Sequence, residues 1–77
     1  MNHALRFGIL EVLRRREGAR TTVGDLVFAL HASATEVADA LVQLDRKGLV
    51  DAGRVRLTMM GLAAASALAA SSVSRAA

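Results

Sequence analysis

The sequence predicts a mainly helical fold carrying one small β-hairpin, in the order α-α-α-β-β-α. Three observations predict it. Apolar residues recur at helical spacing over the first three stretches. Two of those stretches open on a Ser or Thr followed three residues later by an acid. After them, "GLVDAGRVRLT" alternates apolar and charged positions around a Gly-containing turn and runs into an Ala-rich tail.

From residue 3 to about 16, Leu5, Ile9, Val12 and Leu13 fall on one helical face, the pattern of a core-facing helix. Phe7 and Leu10 project to another side, with His3 and Arg14 near them, and form a second apolar patch. "EGARTT" supplies a Gly exit, and Thr22 with Asp25 resembles a capping box for a second helix running to about Leu30. Its inward residues are Val23, Leu26, Val27 and Leu30. His31 occupies the exit, a position often left-handed.

Ser33 and Glu36 in "SATE" make a clear capping box, so a third helix starts there. Val37, Leu41 and Leu44 turn inward; Thr35, Asp39, Val42, Gln43 and Arg46 line the outward stripe; Gly48 ends the helix. In the hairpin, Val55 and Leu57 face in while Arg54 and Arg56 face out. That alternation sets Leu49 opposite Val55, leaving Asp51, Ala52 and Gly53 as a three-residue loop with Gly53 left-handed. Thr58 is the expected N-cap of a last helix from Met59 to about residue 72, with fraying over the final "SRAA".

Composition narrows the function. A chain of 77 residues buries only about 60 % of its unfolded surface. Sixteen of its hydrophobic residues are Ala, and Trp and Tyr are absent, so burial between subunits is expected. The net charge of +3 gives a mild bias toward polyanions. With no Cys there is no disulfide framework or thiolate metal site, which suits a reducing compartment. His3, Arg6 and Glu11 interrupt the first apolar stretch, so no signal peptide is expected. "LTMMGLAAASALAASSV" is too short and dilute to span a bilayer. The expectation is a cytoplasmic protein with no membrane contact.

The pieces "NHALRFGILEVL", "DLVFALHASATEVADALVQLDRKGLV" and "RVRLTMMGLAAASALAA" together resemble the small MarR-like and ArsR-like bacterial winged helix-turn-helix transcriptional regulators. They most resemble a compact subgroup whose first helix begins H-A-x-R and whose last strand runs into L-T-x-x-G. The resemblance covers most of the chain and rests on the order and spacing of the pieces. It implies a single winged-helix domain over 1–77, with the helix-turn-helix at about 22–47, the wing at about 48–58 and the C-terminal helix at about 59–72. It further implies that helix three enters the major groove, that the wing touches the backbone or minor groove, and that the first and last helices form a homodimer. A DNA-binding member would be nucleoid-associated. Two features depart from the family pattern. Only "DAG" separates the wing strands, and Glu36 and Asp39 put carboxylates on the first half of helix three, where phosphates would repel them.

The candidate nucleic-acid contacts follow from the resemblance. Arg46, Lys47, Arg54 and Arg56 either meet phosphates or form a solvated surface. Thr35, Asp39, Val42 and Gln43 either read base edges or make an ordinary outer helix face. Glu36 is mostly a cap, and "RRRE" at residues 14–17 closes a helix where cations favour the dipole. The expected dimer interface takes Phe7 and Leu10 from helix one with Ala63, Ala64, Ala67 and Ser71 from the last. His3 and His31 lack ligand-spaced partners, so no metal is expected. No cofactor, catalytic residue or enzymatic activity is expected either. Two functions compete: a dimeric regulator binding double-stranded DNA, and a winged-helix module that binds a protein partner and has lost DNA. The fold resemblance, the mild basicity and the outward arginines support the first, which is the leading reading, while the short wing, the acidic helix start and the apolar Phe28 and Val42 support the second.

Overall fold

A computed structural model describes residues 3–76, with side chains through residue 71. The elements are α1 (His3–Arg15), α2 (Val23–Leu30), α3 (Ala34–Arg46), β1 (Val50–Asp51), β2 (Arg56–Leu57) and α4 (Met59–Ala76). The chain is thus mainly helical with a small two-stranded antiparallel sheet. Among the described residues no helix is long and apolar enough to cross a membrane.

α1 packs on each of the other helices and on β2, because its 3.6-residue periodicity places Leu5, Ile9 and Leu13 on one stripe. These join Leu26, Val37, Leu41, Leu44, Val50 and Ala65 in one apolar core, with Ile9, Leu26 and Val37 fully buried. Leu10, expected off this face, is also in the core at 3 % exposure. α4 lies against α1 within the same chain, and that extra helix covers the side of α1 on which Leu10 sits. Arg14 and Arg15 both bond Glu11, at 2.5 and 2.9 Å. These pairs, Arg14's foremost, hold the Glu11 carboxyl below the ordinary carboxylate range.

Both capping boxes form. The Thr22 hydroxyl accepts from the Asp25 amide at 3.2 Å, and the Asp25 carboxylate accepts from the Thr22 amide at 2.9 Å. That amide bond chiefly holds the Asp25 carboxyl below its usual value. Its contribution is present above the unfolded-state pKa and fades as pH falls toward the lowered one. His31 ends α2 in the left-handed region, at φ 53°. At α3, the Ser33 hydroxyl and Glu36 carboxylate exchange bonds with each other's amides at 3.1 Å. Ser33→Ala is expected to cost about 1 kcal/mol. Glu36→Gln should cost less, since the amide oxygen still accepts. Thermal melts in which Glu36→Gln is the more damaging change would contradict this assignment.

α3 stops in a Schellman arrangement. Gly48, at φ 77°, donates to the Asp45 carbonyl at 2.9 Å, and Leu49 donates to Leu44 at 3.0 Å. This stop corrects the hairpin. The Leu49 amide is spent on the helix, so pairing begins one residue later, with Val50 opposite Leu57 and Asp51 opposite Arg56. The turn is longer than three residues because the Asp51 carboxylate captures the amides of Gly53 and Arg54, at 3.1 and 3.3 Å, as short acidic side chains do in turns. Arg54 therefore lies in the turn and not in a strand. The left-handed residue is Val55, at φ 51°, not Gly53. A β-branched residue held there costs roughly 1–3 kcal/mol, offset in part by Val55 packing on the core.

The junction to α4 explains "LTMMG". Thr58 caps the helix by accepting from the Gly61 amide at 3.0 Å. The same hydroxyl donates to the Gly48 carbonyl at 2.6 Å. The Thr58 amide donates to the Leu49 carbonyl at 3.1 Å. α4 then runs to Ala76, past the expected end near residue 72 and through most of the stretch expected to fray. Residue 77 lies outside the described residues.

Candidate nucleic-acid interface

The outward stripe of α3 is solvent-facing because its opposite stripe, Val37, Ala40, Leu41 and Leu44, completes the core. Thr35, Asp39, Val42 and Arg46 are all exposed, Val42 at 46 %. Glu36 is accounted for by the cap. Asp39 makes no ion pair among the described residues. Lys47, also exposed, is the C-cap.

Gln43 departs from this stripe. It is half-buried, and its Oε1 accepts from Arg6 Nη1 at 3.4 Å. Successive residues advance by about 100°, which carries Gln43 past the stripe to the flank facing α1. Arg6 is 7 % exposed in the middle of the apolar stripe of α1, and its guanidinium also meets His3 Nδ1. Arg is donor-only, so Gln43 and His3 accept from it. Gln43 is thus a strut between α1 and α3, and it is withdrawn from the candidate contacts with bases. Only the oddity of an Arg at a core position of α1 signals this in the sequence.

The hairpin arginines are exposed, but the structure groups them with unexpected residues. Arg54 and Arg56 line an open cleft of 1020 Å³ together with Arg16 and Arg20 of the loop between α1 and α2. Arg54 Nε stands 3.9 Å from Asp51, and Arg16 Nη1 stands 3.8 Å from Asp25. Arg20 and Arg56 have no ion pair among the described residues. The hairpin and the end of α3 are linked directly, since the Asp45 carboxylate accepts from the Ala52 amide at 2.9 Å. This bond fastens the turn to the end of α3, next to Arg46 and Lys47. Nothing in the sequence marks Arg20, because an isolated Arg in a loop carries no periodicity.

The residues expected at a dimer interface divide. Phe7, Leu10 and Ser71 line a groove of 390 Å³ between α1 and α4, together with Leu68 and Ala69. Phe7 is 52 % exposed and Leu68 38 %. Leu10 forms the buried floor and is not a projecting contact. Ala63 and Ala67 are exposed, and Ala64 half-buried, but none of the three lines the groove. Elsewhere Phe28 stands 85 % exposed on the outer side of α2. Among the described residues no group of three or more His, Cys, Asp or Glu could hold a metal ion.

Comparison with protein-family models, curated proteins and solved structures finds no match for this chain.

Proposed function

We propose that the chain is a small winged helix-turn-helix domain that binds double-stranded DNA as a homodimer and regulates transcription. α2 and α3 form the helix-turn-helix, and α3 enters the major groove. One observation carries the reading: α3 is capped at both ends and complete in its core contacts, yet presents Thr35, Asp39, Val42 and Arg46 to solvent. Its 13 residues span about 20 Å, and a B-DNA major groove admits a helix of this diameter. Arg46, Lys47 and Arg56 supply charge for phosphates beside it. The turn is tight, so the hairpin rests on the backbone without reaching deep into the minor groove. Asp39 is tolerated where a cytosine amino group faces it. Asp39→Asn is expected to raise affinity for unrelated duplexes by removing repulsion. Unchanged or weaker binding of that variant in fluorescence anisotropy would count against α3 as the docking element.

Dimerisation is proposed through the groove between α1 and α4. Phe7 and Leu68 flank it, and burying Phe7 would contribute on the order of 2 kcal/mol per subunit. Phe7→Asp is expected to convert the protein to a monomer in light scattering. A wild type already monomeric at high concentration, or a variant of unchanged mass, would refute the interface.

A second reading, a winged-helix module that binds a protein partner, is favoured by the exposed Phe28 and Val42. Both are apolar and neither is needed by the core. On that reading Val42→Asp abolishes the partner's binding, and the arginines of the hairpin have little influence on it.

A further inference from the structure

The cleft between the α1–α2 loop and the hairpin turn is separate from the stripe of α3 and shares only Arg56 with the residues named for DNA binding above. Residues 16–23 form one wall and residues 51 and 53–58 the other, and Leu13 and Leu62 also line the cleft. Four arginines line it against two carboxylates, Glu17 and Asp51. Asp51 is already engaged by the amides of the turn and by Arg54. Arg16 divides its guanidinium between Asp25 and the Arg20 carbonyl. Arg20 and Arg56, one from each wall, have no ion pair among the described residues. The first turn of α2 is not the attraction, because Asp25 already occupies it.

Like charges gathered in a concavity repel one another, and a bound anion relieves that repulsion. Concave, low-dielectric walls also focus the field on whatever enters. A guanidinium offers its donors as a planar fork that matches phosphate oxygens. We propose that this cleft is a phosphate-binding site, with Arg20 and Arg56 as the principal donors and Arg16 and Arg54 in support. The volume exceeds that of a single phosphate, and the apolar surface between the walls suits a ligand with a carbon skeleton. The phosphate then comes either from a nucleic-acid backbone or from a free phosphorylated small molecule.

The test is a titration of the full chain, labelled with nitrogen-15, with pyrophosphate. Saturable amide shifts confined to residues 16–23 and 51–58 are expected. Arg20→Gln with Arg56→Gln should weaken binding by about tenfold or more. A control pair outside the cleft, Arg14→Gln with Arg15→Gln, should leave it unaltered. Adding a short DNA duplex identifies the source. Displacement of pyrophosphate assigns the site to the nucleic-acid backbone. Pyrophosphate bound alongside DNA, or bound by a chain that ignores DNA, assigns it to a free phosphorylated ligand, and the site stands even where the regulator reading falls. Absence of saturable shifts in the two walls, or equal weakening by the control pair, overturns the proposal.

Discussion

Gly61→Ala is expected to destabilise the protein by about 3 kcal/mol or more, toward the upper end for overpacking a closed site. A Cβ at this position would stand 1.7 Å from the Leu49 carbonyl oxygen and 2.7 Å from its carbon. The obstacle is backbone, so no rotamer change can relieve it. Nor can α4 move away freely. The same Leu49 carbonyl accepts from the Thr58 amide, and the Thr58 hydroxyl ties the start of α4 to Gly48. Opening the gap breaks those bonds and withdraws Ala65 from the core. The stability of so short a chain is on the order of 5 kcal/mol, so the variant should retain about 2 kcal/mol or less. Urea unfolding checks this, and a variant within about 1 kcal/mol of wild type would mean that α4 does not sit on the exit of α3 as described.

Leu26→Ala is expected to cost about 3 kcal/mol, the transfer free energy of the lost methyl groups plus the cavity they leave. Leu26 is fully buried and is the one buried residue of α2. A helix of eight residues is too short to persist without tertiary packing. Loss of this anchor should therefore release α2 before the rest, with amide exchange over residues 23–30 accelerated beyond that of α1. Uniform acceleration across the chain, or a loss below about 1 kcal/mol, would contradict the role given to Leu26.

These two sites differ in how far the sequence reveals them. Leu26 follows from helical spacing, as do Ile9, Val37 and Leu44, and the capping boxes at Thr22 and Ser33 are local chemistry readable within four residues. The left-handed His31 is also local. The hairpin is less legible because two local claims compete for Leu49: alternation assigns it to a strand, while the Schellman stop of α3 takes its amide. Asp51 then sets the turn through its side chain, which alternation ignores. Helical spacing alone misplaces Leu10 and Gln43 for a different reason. Helical spacing defines angles on one helix, and which angles are covered depends on where α4 and Arg6 come to rest. The arginine cleft joins residues 34 or more positions apart in the chain, Arg20 with Arg54 and Arg56, so no sequence window contains it. The outward stripe of α3, apart from Gln43, was legible because the inward stripe of the same helix is so regular.

The most direct test of the proposed DNA binding is the salt dependence of duplex affinity, measured by fluorescence anisotropy from ~50 mM salt upward. A DNA-binding wild type gives a linear fall of log K with log salt, at about 0.9 per phosphate neutralised. Arg46→Ala with Arg56→Ala should weaken binding across unrelated sequences and flatten that slope by about two per subunit. A wild type that binds no duplex even at ~50 mM salt, where nonspecific binders are favoured, or a slope unmoved by the loss of both arginines, would contradict the proposed interface.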